Sequence, residues 1–264
     1  MTRTKLKNIH RLIAEATKQV PVTESFVADL NLAIERKDLA NSRIPSKSYK
    51  PSSMKCIRNM YFQLVGAEPD KESVGASFIG ICESGTDRHE RIQSAVCFMK
   101  ELGIDCEYIN VADFVKQQGL TDLEIVDQKG FETKLFNKTY NISFMCDGII
   151  RYRGEYYILE IKTESIRKWM VRTEVAEEHI SQGVAYSVSF GIDKVLFLYE
   201  SRDTCDKKSF LLEVSEDMKY ELVSKIEECD YYVSKLTPPP KPQDITKKTC
   251  SYCRYKAQCR MAGE

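Results

Sequence analysis

The chain has 264 residues, 42% hydrophobic and 30% charged, enough apolar content for one large or two small globular domains. That composition excludes collagen, a coiled coil and a wholly disordered chain. Lys plus Arg and Asp plus Glu both total 39, so net charge alone carries no sign of a nucleic-acid partner. The distribution says more: residues 1–50 hold 10 basic and 5 acidic side chains, residues 237–264 hold 6 and 2, and the middle holds 23 and 32. An acidic centre suits a divalent cation and basic flanks suit a polyanion, although solvated helix faces explain many asymmetries of this size. The longest apolar runs, such as Val195 to Tyr199, fall far short of the roughly 20 residues of a spanning helix. The polar stretch Met1 to His10 has no signal-peptide core, so a soluble cytoplasmic protein with no membrane contact is expected.

In chain order, Leu6, Ile9 and Ile13, then Phe26, Leu30, Ala33 and Ile34, recur at helical spacing and predict amphipathic helices over 5–20 and 24–40. Thr23 or Ser25 is the candidate cap of the second. The polar stretch Asn41 to Ser53, broken by Pro45 and Pro51, separates this basic helical arm (1–50) from a main domain (51–264). A helix is predicted over 53–65, and a longer one from Phe78 to Leu102 carries Gly85, His89, Ile92, Val96 and Met99 on one stripe, which turns His89 inward. The period then changes. Lys134 to Phe136, Tyr140 to Ile150 and Glu155 to Ile161 read as strands, with turns at Asn137-Lys138 and Arg153-Gly154. Residues 173–190 return to helix, Lys194 to Tyr199 reads as a short buried strand, and Val214 to Leu236 as a long helix. Pro238 to Pro242 must be extended and stiff, able to carry the chain back across the domain. The order predicts an α/β fold in which a central sheet is flanked by helices.

With Arg153 and Gly154 at the centre of a hairpin turn, Asp147 falls directly opposite Glu160. Alternation puts Lys162 on the same face and Ile161 on the other, so two carboxylates and an ammonium converge. Glu-x-Lys is no signal by itself, because Glu35-Arg36-Lys37 and Glu132-Thr133-Lys134 share it, and a surface ion pair accounts for those two. Glu160-Ile161-Lys162 differs in its setting: it ends an apolar strand, faces an acid and precedes a helix. A lone histidine on an apolar helix face is usually a satisfied core residue. Beside two carboxylates, His89 becomes a candidate ligand for a divalent metal, favouring manganese without excluding magnesium. Gln182 and Tyr186 lie one helical turn apart, and an amide and a phenol there can meet a phosphate or stack on a base. His179 could extend that face, and an ordinary amphipathic helix is the bland alternative.

Ten cysteines without a secretion signal argue for reduced, buried or metal-bound thiols. Cys82, Cys97, Cys106, Cys146, Cys205 and Cys229 are scattered as small buried hydrophobes would be. Cys250, Cys253 and Cys259 offer three thiolates in one short segment, and Cys56 is the best candidate for a fourth. Four thiolates hold either zinc or a cubane [4Fe-4S] cluster, and spacing does not choose between them.

Taken in order, these motifs resemble the iron–sulfur branch of the PD-(D/E)XK nucleases, the RecB-like group that includes the AddB nuclease domain, the CRISPR adaptation nucleases and phage recombination exonucleases. The resemblance runs from about Ser52 to Arg260. Cys56, with Arg58 and Tyr61 after it, looks like the first cluster cysteine of that family; His89 matches its helix histidine, Asp147 its second-motif acid, and Glu160 and Lys162 its Glu-x-Lys pair. Gln182 and Tyr186 match Q-x-x-x-Y, and Cys250, Cys253 and Cys259 match the closing cysteine motif. Two departures stand out: Phe144 occupies a position where many members have glycine, and residues 1–50 have no counterpart in the catalytic core.

The resemblance implies a restriction-endonuclease-like core whose terminal helical regions, 52–61 and 248–260, are stapled by a [4Fe-4S] cluster on Cys56, Cys250, Cys253 and Cys259. It implies Mg2+ or Mn2+ held by His89, Asp147, Glu160 and the Ile161 carbonyl, catalysis by Asp147, Glu160 and Lys162, and DNA contacts by Gln182 and Tyr186. The implied function is a metal-dependent DNA exonuclease acting on single-stranded DNA or DNA ends in recombination, repair or phage DNA processing. Its setting would be the cytoplasm, of a bacterium or, for a phage-encoded protein, of the host cell, with recombination or phage replication proteins as partners. Trimming of CRISPR spacer precursors is the alternative within enzymes. A non-catalytic DNA-binding scaffold is the alternative outside them, and the presence together of His89, Asp147, Glu160 and Lys162 weighs against it.

Overall fold

A computed structural model describes residues 22–40, 47–70, 75–251 and 253–263, which leaves the helix expected over 5–20 outside the described residues. The chain divides into two compact units, Met1–Arg43 with Glu72–Glu83, and Ile44–Lys71 with Ser84–Glu264. In the first, helix α1 (Val22–Ala40) starts early enough that Thr23 and Ser25 fall inside its first turn, where Ser25 Oγ donates to the Val22 carbonyl at 3.1 Å. Glu35 Oε1 accepts from the Ala76 amide at 3.0 Å, satisfying one of the orphan donors at the start of α3 (Ala76–Met99). Among the described residues no helix is long and apolar enough to cross a membrane.

The second unit holds α2 (Ile57–Leu64), the rest of α3, β1 (Cys106–Ile109), α4 (Val111–Gln117), β2 (Leu123–Lys129), β3 (Glu132–Asn137), β4 (Ile142–Cys146), β5 (Gly148–Tyr152) and β6 (Glu155–Glu164). Then come α5 (Ile166–Val171), α6 (Glu177–Phe190), β7 (Lys194–Ser201), β8 (Lys207–Glu213), α7 (Glu216–Ser234), α8 (Lys247–Ser251) and α9 (Lys256–Met261). Five strands form one sheet in the order β1-β5-β6-β7-β8, and β2-β3-β4 form a second. Among the strand pairs of the described residues, β6 and β7 are the parallel one, as expected when a helical connection, here α5 and α6, joins them. The result is a mixed α/β architecture with helices on both faces of a central mixed sheet.

Strand alternation sorts the two faces. Ile158 and, on β7, Val195, Phe197 and Tyr199 join the main core with α2, α6 and α7, whereas Leu159 and Ile161 pack with Ile150 against Ile92 of α3. Glu160 and Lys162 therefore share a face with Ile158, toward α6. The β5–β6 hairpin pairs Gly148 with Leu159 and Tyr152 with Glu155 through Arg153 (φ 52°) and Gly154 (φ 84°), both in the left-handed region that a two-residue I′ turn demands.

The strand expected from Tyr140 to Ile150 is two strands. The chain leaves the small sheet at Cys146, turns at Asp147 and enters the large sheet at Gly148, the kind of corner at which a strand changes sheets. Helix α6 starts at Glu177 rather than 173, after the separate short helix α5. Strands β1, β2 and β8 and helix α4 have no counterpart in the sequence reading. A register shift between Ile125 and Asp127 breaks the period of β2, and β8 alternates only weakly at the sheet edge.

Candidate functional site

The site forms where β6 outruns its partner. Strand β5 pairs with residues 155–159 of β6, so the Ile161 amide lies beyond the ladder. Asp147 fills the gap: its Oδ2 accepts from the Ile161 N–H at 2.7 Å. The other oxygen, Oδ1, stands 3.1 Å from His89 Nδ1 on α3. Two further side chains fix the corner, as Gln93 Nε2 (2.6 Å) and Tyr108 Oη (2.9 Å) both donate to the Asp147 carbonyl. A Cβ on Gly148 would stand 2.5 Å from Tyr108 Cε2, so glycine is what lets the phenol cross there.

Helix α6 closes the site from the other side. Gln182 Nε2 donates to Glu160 Oε1 at 2.7 Å, and Gln182 Oε1 accepts from Lys162 Nζ at 3.0 Å; Lys162 Nζ also lies 2.6 Å from Glu160 Oε1. Tyr186 Oη is 2.7 Å from Gln182 Nε2 and donates to the Met145 carbonyl at 2.8 Å. Tyr186 is 2% exposed, with its ring tilted over Phe144 at 5.4 Å. The enclosed ring leaves its hydroxyl to brace Gln182. The helix approaches closely because Gly183 faces Leu212 and Phe197, where a Cβ would meet the Leu212 Cδ2 at 2.8 Å. His179 stays out of the cluster, its Nδ1 lying 2.9 Å from Tyr199 Oη.

Thus the hydrogen bonds form two adjoining sets, His89 with Asp147 and the Ile161 amide, and Glu160 with Lys162, Gln182 and Tyr186, which meet through the Glu160-Ile161-Lys162 backbone. Sequence reasoning missed Gln93 and Tyr108. Gln93 lies four residues after His89, so the helix period could have found it; Tyr108 sits on a strand too short to be recognised. It also missed the anchor of α3, the fully buried Glu200, which accepts from Arg88 at 2.8 Å and Arg91 at 2.6 Å.

The electrostatics follow from burial. Burial pushes the Glu160 carboxyl up to about 7 against the pull of the Lys162 ammonium, and the Asp147 charge adds to the rise. Burial pulls the His89 imidazole down, but its hydrogen bond to Asp147 and that carboxylate's charge outweigh it, and the net shift is upward. Glu160 Oε2 is buried with no hydrogen-bond partner, the situation that a buried carboxylate resolves by protonation or by a cation. Among the described residues His89, Asp147 and Glu160 do not stand in metal-holding geometry, but two carboxylates beside an imidazole are by their chemistry donors of the kind Mg2+ or Mn2+ takes.

The four motif cysteines converge elsewhere in the same unit. Cys56, Cys250, Cys253 and Cys259 line one cavity of about 650 Å³. Burial raises the Cys56 thiol, opposed by the Asn59 and Arg58 amides, with Cys259 and Cys250 adding to the rise. Cys253 is raised by burial, opposed by the Tyr255 amide, and further by Cys56, Cys259 and Cys250. Cys56 and Cys253 thus each feel the neighbouring motif sulfurs, and a soft donor set of this kind fits zinc or a cubane cluster. Among the described residues, no three His, Cys, Asp or Glu side chains already stand in metal-holding geometry. What visibly ties these segments together is Arg58, 3% exposed, which donates to the carbonyls of Pro239 (2.8 Å), Cys259 (3.2 Å) and Gly263 (2.6 Å).

No protein-family model matches the sequence, and no curated protein matches it. Solved structures similar to the chain include that of SSO0001, at 15% identity with a TM-score of 0.48, covering 93% of this chain and 99% of that one. They also include an alkaline exonuclease (LHK-Exo) from Laribacter hongkongensis, at 11% identity and a TM-score of 0.41 over 73% of this chain and 92% of the other. Its complex with dAMP aligns at 12% identity with a TM-score of 0.39, over 72% and 91%.

Proposed function

We propose that the chain is a divalent-metal-dependent DNA nuclease of the PD-(D/E)XK type, with Asp147, Glu160 and Lys162 as its catalytic set. The observation that supports this reading is the buried Glu160, paired with Lys162 and acted on by the charges of the neighbouring Asp147–His89 pair, whose Oε2 has no partner. Asp147, Glu160, the Ile161 carbonyl and His89 would hold Mg2+ or Mn2+. When bound, such an ion polarises a scissile phosphate and lowers the pKa of water beside it.

The rest falls to the chain's own groups. The Ile161 N–H and His89 Nδ1 hold Asp147 in one orientation, one oxygen each. Gln182, braced by Tyr186, steadies Glu160 Oε1 and the Lys162 ammonium together. Lys162 is the half-buried cation available to offset the negative charge that accumulates on a phosphate under attack. Low solvent access around Glu160 strengthens each of these interactions. Cleavage would leave a 5′-phosphate and a 3′-hydroxyl.

In the same reading the four-cysteine cavity takes a [4Fe-4S] cluster that staples 52–61 to 248–260 within a nuclease domain of residues 51–264, and residues 1–50 form a basic arm. Single-stranded DNA or DNA ends are the substrate, and recombination, repair or phage DNA processing in the cytoplasm is the setting. Digestion of end-labelled single- and double-stranded DNA with Mn2+ and with Mg2+ tests the activity. Metal-dependent loss of label that disappears in Lys162→Ala is expected, and a wild-type chain that leaves both substrates intact with either metal contradicts it. Purification without oxygen tests the cluster: a brown protein containing iron and sulfide is expected, and a colourless one with stoichiometric zinc contradicts that assignment.

A further inference from the structure

We propose that the tip of α5, Met170 with Val171, is a base-stacking wedge against which a nucleic-acid strand lodges. Met170 is 67% and Val171 77% exposed, adjacent large apolar side chains in water. Exposure of this kind is ordinary on a loose loop, but this tip is pinned. The Asp203 carboxylate accepts from the Ile166 amide at 2.7 Å. Lys208 Nζ donates to the carbonyls of Trp169 (2.9 Å), Arg172 (3.2 Å) and Met170 (3.3 Å), and it lies 4.4 Å from the Trp169 ring centre. Trp169 Nε1 donates to the Tyr199 carbonyl at 3.2 Å, and the Arg172 guanidinium stacks over the Tyr199 ring at 4.4 Å. A fixed apolar tip keeps its shape against a ligand and loses little entropy on binding.

The flanks identify the ligand. Between Glu164 and Glu174 the chain carries Arg167, Lys168 and Arg172; Arg172 is paired with Glu164 at 2.7 Å, which leaves Arg167 and Lys168 as the exposed cations beside the tip. Cations beside an apolar wedge match a strand of phosphates and bases: the charges hold the backbone, and methionine or an aliphatic side chain inserts at a base step. Two side chains are too few for a protein interface, which buries roughly 800 Å² on each partner. The segment also leaves the strand that carries Glu160 and Lys162 and leads to the helix that carries Gln182, so it joins the two elements of the candidate site.

The inference rests on the nuclease reading for its substrate, and its test is one of binding without chemistry. The full chain, with no divalent metal added, is titrated with a fluorescently labelled single-stranded oligonucleotide and with a blunt duplex. Trp169, the one tryptophan in the sequence, gives a second signal. The expected result is quenching of Trp169 emission, about tenfold weaker single-strand binding in the double variant Met170→Ser with Val171→Ser, and wild-type binding in Met170→Leu with Val171→Ile. Both positions are exposed, so a thermal melt confirms that the variants fold. Unchanged affinity in the serine variant overturns the proposal, as does absence of wild-type binding. Unchanged affinity together with a shift from dimer to monomer would assign the tip to contact between protein copies and likewise overturns it. Wedge-dependent binding by a chain that never cuts DNA with Mn2+ or Mg2+ supports the wedge and removes the nuclease reading alone.

Discussion

Asp147 Oδ2 takes the place of a strand, accepting at 2.7 Å from the Ile161 amide just where β5 stops pairing with β6. One side chain therefore completes the sheet and presents a carboxylate to the site. Asp147→Asn can still offer an oxygen to that amide, so it should lose DNA cleavage with little change in stability. Asp147→Ala leaves the buried donor unpaired and should cost about 1–3 kcal/mol in a urea melt. Equal stability of the two variants would show that the ladder contact carries no weight.

Tyr186→Phe removes the donor to the Met145 carbonyl and the brace on Gln182 while keeping the ring. A stability loss of about 1 kcal/mol is expected, with a slower cleavage step and unchanged DNA affinity. Weaker DNA binding with an unchanged rate would point instead to a direct contact with the strand.

Arg58 serves three carbonyls from the C-terminal segments while 3% exposed. Arg58→Met keeps much of the packing and strands those acceptors. A loss of about 3 kcal/mol is expected, in the range for breaking a buried, charge-assisted network. The measurement is chemical denaturation of the protein as purified, and a variant within about 0.5 kcal/mol of wild type, the scatter of ordinary surface changes, would remove Arg58 from the staple.

His179 sets a pH dependence. Burial and the nearby Lys162 charge lower its pKa from 6.5 to about 3. Below about 6.5 the unfolded chain takes up a proton that the folded chain refuses, so stability is fully present above that pH and falls as the pH drops toward 3. The slope contributed is at most about 1.4 kcal/mol per pH unit. Denaturation midpoints at pH 7 and pH 5 should therefore differ less in His179→Gln than in wild type, and an identical difference would place the acid sensitivity elsewhere.

Much of the site was legible because it lies on a tight hairpin. Arg153-Gly154 implied the turn, the turn implied the register, and the register put Asp147 against Glu160, one residue beyond the last formal pair, Gly148 with Leu159. The helix stripe likewise turned His89 toward the sheet. What stayed hidden depends on tertiary paths that leave no local period. The crossing from one sheet to the other at Asp147 has apolar strand-like residues on both sides, Phe144 to Cys146 and Ile149-Ile150, so the segment reads as a single strand. The burial of Tyr186 depends on Phe144, which reaches it from β4 and is itself packed edge-on against Phe190 at the end of the same helix. Arg58 looks from sequence like any cation after a cysteine, and only the return of the chain past Pro239 gives it carbonyls to bind.

The lone oxygen of Glu160 is the centre of the account, and titration of the full chain with Mn2+, followed by calorimetry, tests it most directly. Wild type should bind the ion, and Glu160→Gln, which keeps shape and hydrogen bonding but removes the charge, should bind at least about tenfold more weakly while melting no lower. Equal Mn2+ affinity in the two proteins would contradict the proposed metal site.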